Sequence, residues 1–154
     1  MIRSAFASFA AVAVLGGVAY AELSRGVIST FHGQLVVSKD ELPEGKNDGD
    51  TIKKINAVRL KQVDGEKNGD VQVWHFHYTA FLTRGGSSSL ELDFLNDKNQ
   101  LSADQKLNDV DPKASVQSGD IAIDEDEGLT KGKTYTVELL AGEAVVAKTT
   151  LTMK

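Results

Sequence analysis

The chain has no cysteine. That excludes disulfides, thiol catalysis and cysteine-ligated metal centres. It also excludes lipid attachment at a leader cleavage site, which requires a cysteine thiol. Methionine occurs only as Met1 and Met153, so a methionine-rich copper site is excluded too. Catalytic signatures are missing as well. There is no G-x-S-x-G elbow, no H-E-x-x-H pair and no phosphate-cradling G-x-x-x-x-G-K-[ST]. No spacing pairs a nucleophile with any of the three histidines, His32, His75 and His77. Two carboxylates for glycoside hydrolysis chosen from 22 acidic residues would be an arbitrary choice. A hydrolase with a loop-borne site therefore has no motif behind it, and the chain is read as non-enzymatic.

The N-terminus has the anatomy of a secretory signal peptide. Arg3 is a positive first region, residues 6–18 are an apolar run of small and aliphatic side chains, and "AYA" at 19–21 is a small-x-small cleavage site. The apolar run is short for a membrane span, and no basic stop follows it. Cleavage after Ala21 leaves residues 22–154 as a single domain, long enough to bury a core without staples. It removes one base and no acid, so the net charge of -5 becomes -6. An acidic surface disfavours nucleic acid and anionic lipid as partners. The expectation is an exported protein, periplasmic or extracellular, with no stable membrane insertion after cleavage.

Beyond the leader, period-two alternation dominates and period 3.6 is scarce. Strands are expected at 26–38, 58–63, 71–83, 90–95, 101–107, 116–124, 134–140 and 144–153, with turn-forming clusters between them. Asp50 is placed to cap a short helix over 51–57, with Ile52 and Ile55 on one side. The expected fold is all-β: an antiparallel β-sandwich of about seven or eight strands, with at most one short helix decorating it.

One stretch carries a resemblance. "GLTKGKTYTVEL", residues 128–139, resembles the approach to the penultimate strand in immunoglobulin-like and fibronectin-III-like domains. There a leucine, a glycine and a tyrosine precede an alternating strand. The resemblance implies that the Tyr135 hydroxyl bonds back to upstream backbone with Leu129 packed beneath it. It implies an immunoglobulin-like sandwich and no particular activity.

The richest segment is "VWHFHYTAF", residues 73–81. Alternation puts Trp74, Phe76, Tyr78, Ala80 and Leu82 on one face and Val73, His75, His77, Thr79 and Phe81 on the other. Burial of a large side chain is worth roughly 1.5–3 kcal/mol, and buried histidines are costly unless hydrogen-bonded. The tryptophan face is therefore expected inside. A three-residue Gly85-Gly86-Ser87 loop would achieve this by pairing Leu82 with Leu90, Ala80 with Leu92 and Tyr78 with Phe94. The histidines then stand on the outer face, and Thr79 lies opposite Asp93.

Two metal readings follow. His75 and His77, at i and i+2, place their Cβ atoms about 7 Å apart on one side of a strand, a spacing that suits Zn²⁺ or Cu²⁺. His32 and Asp93 are the candidate further ligands. Separately, Asp124, Glu125, Asp126 and Glu127 gather carboxylates at a strand end, which suits Ca²⁺ in an adhesion-type domain. The alternative for each is a solvated surface. The leading functional expectation is a binding or structural module with no cofactor. It would engage another envelope or extracellular protein through loops or a sheet edge.

Overall fold

The computed structural model describes residues 23–154. The expected leader and its cleavage site lie outside the described residues. Nine strands form two sheets packed face to face. The strands are β1 (Leu35–Ser38), β2 (Gln62–Val63), β3 (Glu66–Asn68), β4 (Val71–Phe81), β5 (Glu91–Leu95), β6 (Leu101–Lys106), β7 (Val116–Asp124), β8 (Thr134–Ala141) and β9 (Ala144–Met153). Among the described residues the helices are α1 (Arg25–Thr30) and α2 (Asp48–Val58), and a 3-10 turn spans Glu125–Glu127. No helix among the described residues is long and apolar enough to cross a membrane.

The first sheet is built around β4. β7 pairs with β4 from Val73 to Phe81 along one edge. β1 and β3 share the other edge, β1 beside residues 77–80 and β3 beside residues 71–73. The second sheet runs β2-β9-β8-β5-β6. All its pairings are antiparallel except the two-residue contact of β2 with β9. The sandwich core is filled by alternate residues of both sheets. Trp74, Phe76, Tyr78 and Ala80 from β4 meet Leu92, Phe94, Val137, Leu139 and Leu151. The tryptophan face is thus the core face, as side-chain volume dictates. Trp74 is completely buried, and its Nε1–H donates to the Lys154 carbonyl at 2.9 Å.

The route to that face differs from the expected one. β4 and β5 form no hairpin: residues 84–89 carry the chain across to the second sheet, and β5 pairs with β6 and β8. β7 fills one edge of β4 while β1 and β3 take most of the other, so burial selects the face without selecting the partner. Thr79 lies between Val36 and Ser118, not opposite Asp93.

The N-terminal strand expected at 26–38 is a helix in its first half. Ser24 Oγ accepts from the Val27 amide and starts α1. Val27 and Phe31, one turn apart, then turn inward. α2 starts earlier than expected, at an Asn47 cap whose Oδ1 accepts from Asp50 N–H. It continues to Val58, so only Gln62 and Val63 remain of the strand expected at 58–63. Residues 66–68, expected as turn, form β3. Gly69, at φ +67°, is the first residue of the two-residue hairpin to β4.

The two helices correct the expectation of one decorative helix. Val27, Phe31 and Ile55 form a second apolar cluster with Val36, Phe81 and Val116. They cover the outer face of the first sheet at one end, making that end three layers deep. Tyr135 forms the bond that the resemblance implies: its hydroxyl oxygen accepts from Thr130 N–H at 2.8 Å, and Leu129 is buried.

Candidate binding surfaces around the first sheet

The hydrogen-bonding phase of β4 organises this part of the molecule. Leu82 N–H donates to Ser115 O on the β7 side, and Phe81 N–H donates to Gln34 O on the β1 side. Antiparallel pairing alternates bonded and non-bonded positions. Even-numbered residues of β4 therefore bond towards β7, and odd-numbered residues towards β1 and β3. Gln72 follows the rule where β7 has ended: its N–H donates to Glu125 Oε1 at 2.9 Å.

On β7 the same phase turns the backbone of Val116, Ser118, Asp120 and Ala122 away from β4, to the outer edge of the sheet. Among the described residues no strand or loop pairs with that edge. The next residue in phase, Asp124, has its N–H capped by Glu127 Oε2 at 2.9 Å. Two clefts follow the edge. One, about 470 Å³, takes in residues 115–118 and the 109–114 loop. The other, about 270 Å³, takes in residues 118–121, with Lys106 and Leu107 as its far wall.

The outer face of β4 carries the histidine pair. His75 is exposed, but His77 is buried, which corrects the expectation of two solvated histidines. His77 Nδ1 lies 2.8 Å from Asp120 Oδ1 across the β4–β7 ladder. Beside His75 lies a groove of about 680 Å³. Its rim carries Lys39, Asp40, Asp64, Glu66 and Asp120, and its accessible apolar lining includes Leu60 and Ala122. These five rim residues come from three separate segments, and only the strand gap described below brings them together.

The candidate zinc or copper set is dispersed. His32 follows α1 in an exposed turn. Asp93 is in the other sheet, between Asp104 and Glu138. Among the described residues no three histidine, aspartate or glutamate side chains are grouped to hold a metal ion. Three of the four candidate calcium carboxylates, Asp124, Glu125 and Glu127, have backbone partners. Asp124 Oδ1 accepts from the Asp126 and Glu127 amides, Glu127 returns the bond to Asp124 N–H, and Glu125 holds Gln72. This is a capping box closing a 3-10 turn.

A third acidic feature was not anticipated. On the outer face of the second sheet, Asp104, Asp93 and Glu138 stand in one cross-strand row, with Glu91 on the same strand as Asp93. The Asp93 carboxyl is pushed up to about 6, first by burial, then by Glu91, Asp104 and Glu138. Its Oδ1 is buried without a hydrogen-bond partner. Compared with known proteins, the chain matches no family model, no curated protein and no solved structure.

Proposed function

We propose that this chain is an exported, non-enzymatic binding module of the cell envelope or extracellular space. In this reading an immunoglobulin-like sandwich engages another protein by strand addition at β7. The observation that carries it is the open β7 edge, where Val116, Ser118, Asp120 and Ala122 present backbone donors and acceptors to flanking clefts. Sheet edges of this length invite pairing unless they are covered or blunted. Strand addition takes affinity from the main chain and specificity from the flanking pockets. Export rests on the leader-like residues 1–21. The immunoglobulin-like assignment rests on the Tyr135–Thr130 bond within a two-sheet sandwich.

The test is capture from envelope extract with the purified protein and its Ser118→Pro variant. Ser118 N–H points outward, so proline removes a donor from the open edge and none from the β4 ladder. A protein retained by the wild type and lost with Ser118→Pro, at equal melting temperature, supports the reading. Equal retention, or no retention, contradicts it.

A further inference from the structure

We propose that the groove at His75 binds a peptide segment of a partner protein that inserts a lysine or arginine side chain. This rests on reading the chain as a protein-binding module, but it uses backbone groups on the β1/β3 side of β4 and not the backbone edge of β7.

The first observation is a gap in the sheet. Odd-numbered residues of β4 bond towards β1 and β3, as the Phe81–Gln34 bond shows. Thr79 and His77 face Val36 and Ser38 of β1, and Val73 faces Glu66 of β3. His75 falls between the two strands, and no strand pairs with it on that side. Its N–H and C=O therefore face the groove. An extended peptide residue can exchange both bonds with one such position, as in any antiparallel pair. A simple cation cannot.

The second observation is charge. The rim sets Asp40, Asp64, Glu66 and Asp120 against Lys39 alone. All five are exposed, so the rim presents a net negative field to an approaching ligand.

The third observation is the apolar lining. Leu60, half-buried, and Ala122, exposed, line the groove and offer apolar surface beside the carboxylates. A lysine or arginine buries its methylene stem on such a surface while its charged head remains at the rim. The groove's volume of about 680 Å³ falls within the usual range for ligand sites, roughly 300–1,000 Å³.

The test uses a synthetic hexapeptide of alternating lysine and leucine and its glutamate–leucine counterpart. Each is titrated into the purified protein by calorimetry, with the His75 amide resonance followed by NMR. The lysine peptide is expected to bind and to move the His75 amide, and the glutamate peptide to do neither. Asp64→Asn/Glu66→Gln should weaken binding at least about tenfold, and Lys39→Glu should strengthen it. These side chains are exposed, so the fold is expected to persist, and the thermal melt checks that it does. Ser118→Pro should leave the affinity unchanged, which separates this site from the β7 edge. Three results overturn the proposal: no binding, an unmoved His75 amide, or equal weakening by Asp104→Asn/Glu138→Gln on the opposite sheet. The last would mean diffuse attraction to an acidic protein.

Discussion

His77 and Asp120 face each other across the β4–β7 ladder, with Nδ1 and Oδ1 2.8 Å apart. The imidazole side chain is 5% exposed and the carboxylate 89%. The pair joins a buried group to one in full contact with water, so its two members should respond unequally to substitution. Asp120→Ala is expected to cost at most about 1 kcal/mol, the range of a solvent-screened pair. His77→Ala removes a buried side chain and should cost about 2 kcal/mol or more. Denaturant midpoints at constant m-value check both. Equal costs would contradict the asymmetry.

Asp93 supplies a pH dependence. Its carboxyl stands at about 6 in the fold, against an ordinary 3.8. The folded state therefore holds this proton more tightly than the unfolded state does. The associated stability is fully present below pH 3.8 and is lost as pH rises through 6. Asp93→Asn should remove the loss. Because the group is partly solvated, screening reduces the gain at pH 7.5 to about 1 kcal/mol. At pH 3.5 the variant and the wild type should melt alike. A gain of the same size at both pH values would show that charge is not its cause.

The sandwich core predicts two graded losses. Trp74→Ala should cost about 3–5 kcal/mol, through the cavity and the lost indole bond to Lys154 O, which keeps its bond from Gly65 N–H. Tyr135→Phe keeps the ring and removes only the acceptor of Thr130 N–H, so about 1 kcal/mol is expected. Chemical denaturation of the two variants measures the ratio.

Metal ions should leave the melting temperature unchanged. His32 and Asp93 lie away from the histidine pair, and the Asp124, Glu125 and Glu127 carboxylates already hold backbone amides. Thermal melts with excess Zn²⁺, Cu²⁺ or Ca²⁺ check this. A Zn²⁺ shift abolished by His75→Ala would restore the metal reading.

Side-chain alternation made the buried face of β4 legible, because Trp74, Phe76 and Tyr78 outweigh anything on the other face. Strand partnership was not legible. Leu82 and Leu90 flank a glycine-rich turn that suits a hairpin, yet the chain crosses to the other sheet there. That outcome depends on β1, β3 and β7, which are distant in sequence. Helix α1 was hidden because Val27, Ile28 and Phe31 fit a strand pattern as well as a helical one. The Ser24 cap and the apolar cluster with Ile55 and Phe81 decide in favour of the helix. Both candidate surfaces were hidden for the same kind of reason. The gap at His75 and the open edge at Ser118 are properties of register, and local composition carries no trace of them.

The central claim is that the outer edge of β7 is open. Amide hydrogen exchange of the free protein reads this residue by residue. The account predicts alternation along one strand. The Ser118, Asp120 and Ala122 amides should exchange at least about a hundredfold faster than those of Gln117, Gly119 and Ile121, which bond to β4. Uniform protection along β7 would mean that the edge is covered, and would contradict the account.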